Sequence, residues 1–128
     1  MTPKVLIVDD ELYILESVSY VVKSIGGEPL TAEDGETALA LAFAENPQLI
    51  ILDVMLPKMT GLQVCEQLRQ HPVTQSTPII MLSARGQQTD ELQGMQSGAD
   101  EYMTKPFSPR RLKQRMEALI RSHEIKPG

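Results

Sequence analysis

Two unbroken runs of aliphatic residues, Val5-Leu6-Ile7-Val8 and Leu49-Ile50-Ile51-Leu52, constrain this chain more than any other feature. A strand with one wet face alternates apolar and polar residues. An unbroken run requires a strand covered on both faces, as in a parallel sheet between layers of helices. Residues 78–82 (Pro78-Ile79-Ile80-Met81-Leu82) repeat the pattern, and weaker strands are expected over 28–32 and 101–104. Pro29 assigns the second strand to an edge, because proline offers no ladder donor. Helical spacing fills every interval. The strand–helix alternation implies an α/β fold with a five-stranded parallel sheet, doubly wound, with helices on both faces. Crossovers are right-handed, so the order 2-1-3-4-5 follows if the chain reverses direction after strand one.

The helices are read from their apolar faces and their stops. Residues 11–25 place Leu15, Val18, Val22 and Ile25 on one face, ending at Gly26-Gly27. Asp34 is positioned to cap a helix over 35–45 whose inner face is Ala38, Leu41 and Ala42. A helix over 62–70 turns Leu62, Cys65 and Leu68 inward and stops at His71-Pro72, since the residue before proline avoids helical angles. The interval 88–97 is poorly patterned, with Leu92 and Met95 its only large apolar residues. Its weak anchoring marks it as a candidate for movement. The last helix starts at Pro109 and carries Leu112, Met116 and Leu119 to about Ser122. The chain therefore divides into one domain over 1–122 and a loose tail over 123–128.

A chain of 128 residues with 41% hydrophobic and 23% charged residues is an ordinary single globular domain. Its net charge of −5 argues against a nucleic-acid partner for this segment. Its one cysteine, Cys65, permits no internal disulfide and is read as a packing residue. No run is long enough to span a membrane, and no signal peptide precedes the first strand. These features indicate a cytoplasmic protein with no membrane association. His71 and His123 have no partners at ligand spacing.

The chemistry gathers where the strands end. Asp9-Asp10 follow the first run, Asp53 the third strand, Ser83-Ala84 the fourth and Lys105-Pro106 the fifth. In a parallel sheet these carboxyl ends share one edge, and ligands bind there at the topological switch point. Clustered carboxylates raise each other's pKa values, and a hard divalent cation such as Mg2+ relieves the repulsion. A lysine facing a metal and three carboxylates calls for a further anionic partner, for which phosphate is the natural candidate.

The motifs Val-Asp-Asp-Glu, Ile-Leu-Asp-Val-Met-Leu-Pro-Lys-Met-Thr-Gly, Met-Leu-Ser-Ala and Tyr-Met-Thr-Lys-Pro-Phe, in this order, resemble the receiver domain of bacterial two-component response regulators. The likeness covers residues 4–121, is similar to the chemotaxis-type single-domain regulators, and implies the flavodoxin-like (βα)5 fold. It implies that Asp53 is the phosphoacceptor, receiving a phosphoryl group from a sensor histidine kinase or phosphotransfer protein. A carboxylate is a known covalent acceptor of such groups. Asp9 and Asp10 match the acidic pair that holds Mg2+ together with Asp53 and the backbone carbonyl of Met55. A thioether is too soft a ligand, so the Met55 side chain points elsewhere. Lys105 would pair with a phosphoryl oxygen ahead of a cis bond to Pro106. Ser83 and the Ala84 amide would donate to the same group. Ser83 and Tyr102 match the switch pair, with the ring moving inward as the hydroxyl moves toward the phosphoryl group.

The resemblance further implies an output face built from the interval 88–97, the fifth strand and the last helix. That face would act on a downstream protein, on a covalently linked output domain, or in a phospho-dependent homodimer. Relatives that dimerise there often carry a basic residue near 91 and glutamate near 111. Here Glu91 and Arg111 reverse those charges, with Asp100 or Glu101 and Arg115 as further candidate pairs. Thr60 stands where many members have aspartate. Met55 and Arg85, each two residues past a site residue, flank the entrance. Such a protein catalyses only its own phosphorylation and dephosphorylation. A phosphorylation-independent docking module of the same fold is the alternative. A haloacid-dehalogenase-type phosphatase would need Asp-x-Asp after the first strand and room for a cap domain. A flavin carrier would need a Ser/Thr/Gly-rich loop where this chain has acid.

Overall fold

The computed structural model describes residues 2–84 and 98–125, with side chains through Ser122. The strands are β1 (Lys4–Val8), β2 (Glu28–Ala32), β3 (Leu49–Asp53), β4 (Ile79–Ala84) and β5 (Glu101–Lys105). The helices among the described residues are α1 (Leu12–Ser24), α2 (Gly35–Glu45), α3 (Gly61–Gln70) and α4 (Pro109–Ile125). All strand pairs are parallel, as the apolar runs imply, and the order is β2-β1-β3-β4-β5, as expected for a chain that reverses direction after strand one. Pro29 lies on the edge strand. The helix expected over 88–97, with Leu92 and Met95, lies outside the described residues, as do Arg85 and Glu91.

Successive strand residues feed two separate cores. Val5, Ile7, Leu49, Ile51, Ile80 and Leu82 pack against α1 and α4, while Leu6, Val8, Ile50, Leu52, Ile79 and Met81 pack against α2 and α3. Each such fully buried aliphatic contributes about 1.5–3 kcal/mol relative to exposure. This two-sided burial is why Val5–Val8 and Leu49–Leu52 contain no polar residue before the acids that follow them.

The helix faces differ in part from the periodic reading. In α2, Leu39 is buried and Leu41 only partly so. In α3, Val64 replaces Leu62 as the fully buried residue. In α4, Ile120 is buried and Leu119 packs at the margin. The α4 helix also continues to Ile125, three residues beyond its expected end at Ser122.

The ends match the local chemistry. Gly26, at φ +80°, and Gly27 return amides to Lys23 and Val22 and close α1 in a Schellman arrangement. Asp34 accepts the Thr37 amide at 2.8 Å to cap α2. Thr60 and Gln63 form a reciprocal capping box at α3. The first helix shows a difference: neither Asp10 nor the N-cap residue Glu11 makes a side-chain cap, and Asp9 Oδ1 instead accepts the Glu11 amide at 2.9 Å.

At the amino ends of β4 and β5 the Arg69 guanidinium ties three segments together. It donates to the carbonyls of Gly98 (2.9 Å) and Thr77 (2.7 Å), and more weakly to those of Thr74 and Gln75. It also pairs with Asp100 at 2.8 Å. Asp100 in turn accepts the Ile79 amide at 2.8 Å, so the start of β5 is bolted to the start of β4.

Candidate functional site

The carboxyl ends of β1, β3 and β5 converge on one polar cluster. Asp9 extends the β1 ladder by one bond, its amide donating to Ala32 O at 3.1 Å, and its carboxyl is fully buried. Asp53 ends β3 beside it and is only 4% exposed. Lys105 ends β5 and reaches across the sheet edge. Its ammonium lies 2.7 Å from Asp9 Oδ2, 3.3 Å from Glu11 Oε1 and 3.5 Å from Asp53 Oδ1. The Lys105–Pro106 bond is cis.

Burial sets the electrostatics. It pushes the Asp53 carboxyl up to about 6, with the Asp9 charge adding to the rise and Lys105 opposing it. Burial also raises Asp9 against the pull of Lys105. Burial works to lower Lys105, but Asp9, Asp53 and Glu11 outweigh it and hold the ammonium above its ordinary value. One lysine therefore neutralises this group of acids incompletely.

The donor set fits a hard cation. Asp9, Asp10 and Asp53 each offer an oxygen, and the three oxygens lie within 4.8 Å of one another. Asp9 Oδ2 is buried without a well-aligned hydrogen bond: its 2.7 Å approach to Lys105 is an ion pair of poor hydrogen-bond geometry. A buried carboxylate oxygen left in that condition is costly unless a further positive partner is supplied. Met55 turns its side chain to solvent, 58% exposed, while its amide donates to Asp53 Oδ1 at 3.3 Å.

The switch pair is also assembled. Ser83, buried at the end of β4, accepts the Tyr102 hydroxyl, and the ring packs half-buried against the core beneath α2 and α3. Of the two positions expected for Tyr102, the structure holds the inward one. Ala84 pairs with Lys105 in the β4–β5 register, which brings the fourth strand's end to the same edge.

Two contributors were not anticipated from sequence. Glu11 touches Lys105 from 94 residues away in the chain. Gly61 closes the loop after β3 by donating to Val54 O at 2.8 Å, and a Cβ there would stand 2.1 Å from the Asp53 carbonyl oxygen. The glycine therefore fixes the backbone that carries Asp53. The additional charges considered for a dimer are used within the chain: Arg115 binds Glu101 at 2.7 Å and Asp100 belongs to Arg69. Arg111 is exposed.

Residues 5–117 match the family described as the response regulator receiver domain. This chain belongs to that family. The receiver is 48% identical over 125 residues to the alkaline phosphatase synthesis transcriptional regulatory protein PhoP of Bacillus subtilis strain 168, covering 98% of this chain and 51% of that protein. It is 40% identical over 121 residues to the phosphate regulon transcriptional regulatory protein PhoB of Escherichia coli strain K12, covering 94% and 53% respectively. The receiver thus spans about half the length of the curated relatives it matches. Among solved structures it superposes on the chemotaxis response regulator CheY4 of Vibrio cholerae with a TM-score of 0.86 and 34% identity, covering 93% of this chain and 99% of that one. Phosphorylation-dependent signalling is the function of the family. No helix among the described residues is long and apolar enough to cross a membrane.

Proposed function

We propose that this receiver accepts a phosphoryl group on Asp53 in a Mg2+-dependent reaction and changes its affinity for a partner as a result. The observation that carries the reading is the Asp9–Lys105–Asp53 cluster. It joins a buried carboxylate acceptor, an ammonium within 3.5 Å of it, and a second buried carboxylate, just past the neighbouring strand, that shares the same ammonium. Phosphoryl transfer demands placement and charge neutralisation above all. Asp9, Asp10, Asp53 and the Met55 carbonyl would hold Mg2+. The ion, when bound, neutralises charge on the carboxylates and on the transferred oxygens.

The residues then have separate tasks. An Asp53 carboxylate oxygen attacks phosphorus and keeps the group as an acyl phosphate. Lys105 pairs with one phosphoryl oxygen as a point charge. Ser83 Oγ and the Ala84 amide donate to another. When Ser83 turns toward the phosphoryl group it gives up its contact with Tyr102, and the space it leaves holds the ring inward. Hydrolysis of the acyl phosphate at the same site resets the switch, and the domain turns over no foreign substrate.

A sensor histidine kinase or phosphotransfer protein supplies the group in the cytoplasm. The output is a downstream protein or a linked domain, consistent with relatives named as transcriptional regulators that are about twice this length. A phospho-dependent dimer through β5 and α4 remains compatible with the exposed Arg111, although Glu101, Arg115 and Asp100 already have partners within the chain.

Intact mass after incubation with acetyl phosphate and Mg2+ tests the reading. One added phosphoryl group is expected on wild type, none on Asp53→Asn, and none on wild type in excess chelator. Failure of wild type to gain mass under conditions that label another receiver would favour the phosphorylation-independent docking module.

A further inference from the structure

The Lys105 ammonium carries three protons and is surrounded by three carboxylates, Asp9, Glu11 and Asp53. Two of these are fixed. Asp9 is fully buried, and its other oxygen holds the Glu11 amide. Asp53 is the acceptor itself. Glu11 differs from both. Its side chain is 59% exposed, and it is not one of the three acids whose oxygens gather within 4.8 Å. It occupies the N-cap position of α1, yet its carboxylate makes no cap bond and turns instead to Lys105.

We propose that Glu11 is a positioning residue that holds one proton of Lys105 and is the carboxylate an incoming phosphoryl group displaces. The inference rests on the assignment of Asp53 and Lys105 above. With acetyl phosphate as donor, an Asp53 oxygen forms the new O–P bond. The P–O bond to the acetyl group breaks, and acetate leaves with that electron pair. No proton moves, and Lys105 remains an ammonium throughout. Glu11 accepts an aligned hydrogen bond from that ammonium, whereas Asp9 and Asp53 approach it as ion pairs, so a bond from Lys105 to a phosphoryl oxygen competes with Glu11. Glu11 is the partner released most cheaply, because its carboxylate returns to water while Asp9 has no access to solvent. Glu11 consequently slows loading by competing with the group that Lys105 must bind.

The test is a four-protein cycle of wild type, Glu11→Gln, Lys105→Ala and the double variant. Labelling rates with acetyl phosphate at saturating Mg2+ are read by intact mass, and Mg2+ affinity is read by thermal shift. Glu11→Gln is expected to load about two- to fivefold faster than wild type, the range for releasing one partly exposed ion pair. The gain should vanish in the Lys105→Ala background, and Mg2+ affinity should be unchanged. Equal rates for wild type and Glu11→Gln would overturn the proposal. So would the same gain without Lys105, which would assign the effect to general repulsion of the anionic donor. A gain accompanied by altered Mg2+ affinity would place Glu11 among the metal's partners and also refute it. A wild type that takes no label at all would instead fail the phosphoacceptor reading itself.

Discussion

The two ends of the sheet treat charge in opposite ways. At the amino ends of β4 and β5, one guanidinium reaches four carbonyls and a carboxylate, and that carboxylate also accepts a backbone amide. At the carboxyl ends, one ammonium serves three acids, and a buried oxygen of Asp9 lacks an aligned hydrogen bond. The first arrangement is satisfied and closes the structure. The second is left short of positive charge and so retains an appetite for a cation and an anion together. The fold is the same at both ends, and the balance of donors to acceptors and the depth of the acids differ. Stability and reactivity can therefore be assigned to opposite edges of one small domain.

The largest effect is expected where charge is satisfied. Arg69→Met removes the donor of several hydrogen bonds and leaves Asp100 without its cation. It should lower stability by about 2–4 kcal/mol, with a lower urea midpoint and an unchanged slope. The Asp53 labelling rate of the folded fraction should remain near wild type. A variant as stable as wild type would mean that the clamp is ornamental and would remove half of the contrast.

A somewhat smaller effect joins the two regions. Gly61→Ala forces a Cβ against the Asp53 carbonyl and should cost about 1–3 kcal/mol through overpacking. Unlike Arg69→Met, it should also weaken the Mg2+-dependent rise in melting temperature, because the displaced backbone carries the acceptor. Unaltered Mg2+ stabilisation would show that the loop relaxes without moving Asp53.

Much of this was legible in the sequence, for reasons that differ by element. β1 and β3 were unmistakable because two-sided burial leaves no room for polar residues. Asp9, Asp10, Asp53, Lys105 and Pro106 were legible because topology sends strand ends to one edge, whereas Ser83 was legible only through the resemblance to the receiver family. The inner face of α2 was ambiguous, since Gly35-Glu36-Thr37-Ala38-Leu39-Ala40-Leu41-Ala42 offers apolar residues all round and contact with the sheet selects Leu39. Arg69 left no trace, because most of its acceptors are backbone carbonyls and every residue has one. Glu11 was hidden for a related reason: an acid beside a helix start reads as a surface residue until β5 is folded against it.

The central claim is that Asp53 is held where its ionised form is costly and that Mg2+ relieves the cost. A carboxyl moved from 3.8 to about 6 binds protons more tightly in the folded than in the unfolded state. Its cost is thus absent below about pH 4, grows as pH rises toward 6, and is complete above that, at about 3 kcal/mol in the limit. The direct measurement is unfolding free energy against pH for wild type and Asp53→Asn, with and without Mg2+. The account predicts that Asp53→Asn is the more stable protein at pH 7–8 without the cation. The gap should close toward pH 4, and Mg2+ should narrow it by stabilising wild type alone. A gap that is absent at neutral pH, or constant with pH and indifferent to Mg2+, would contradict it.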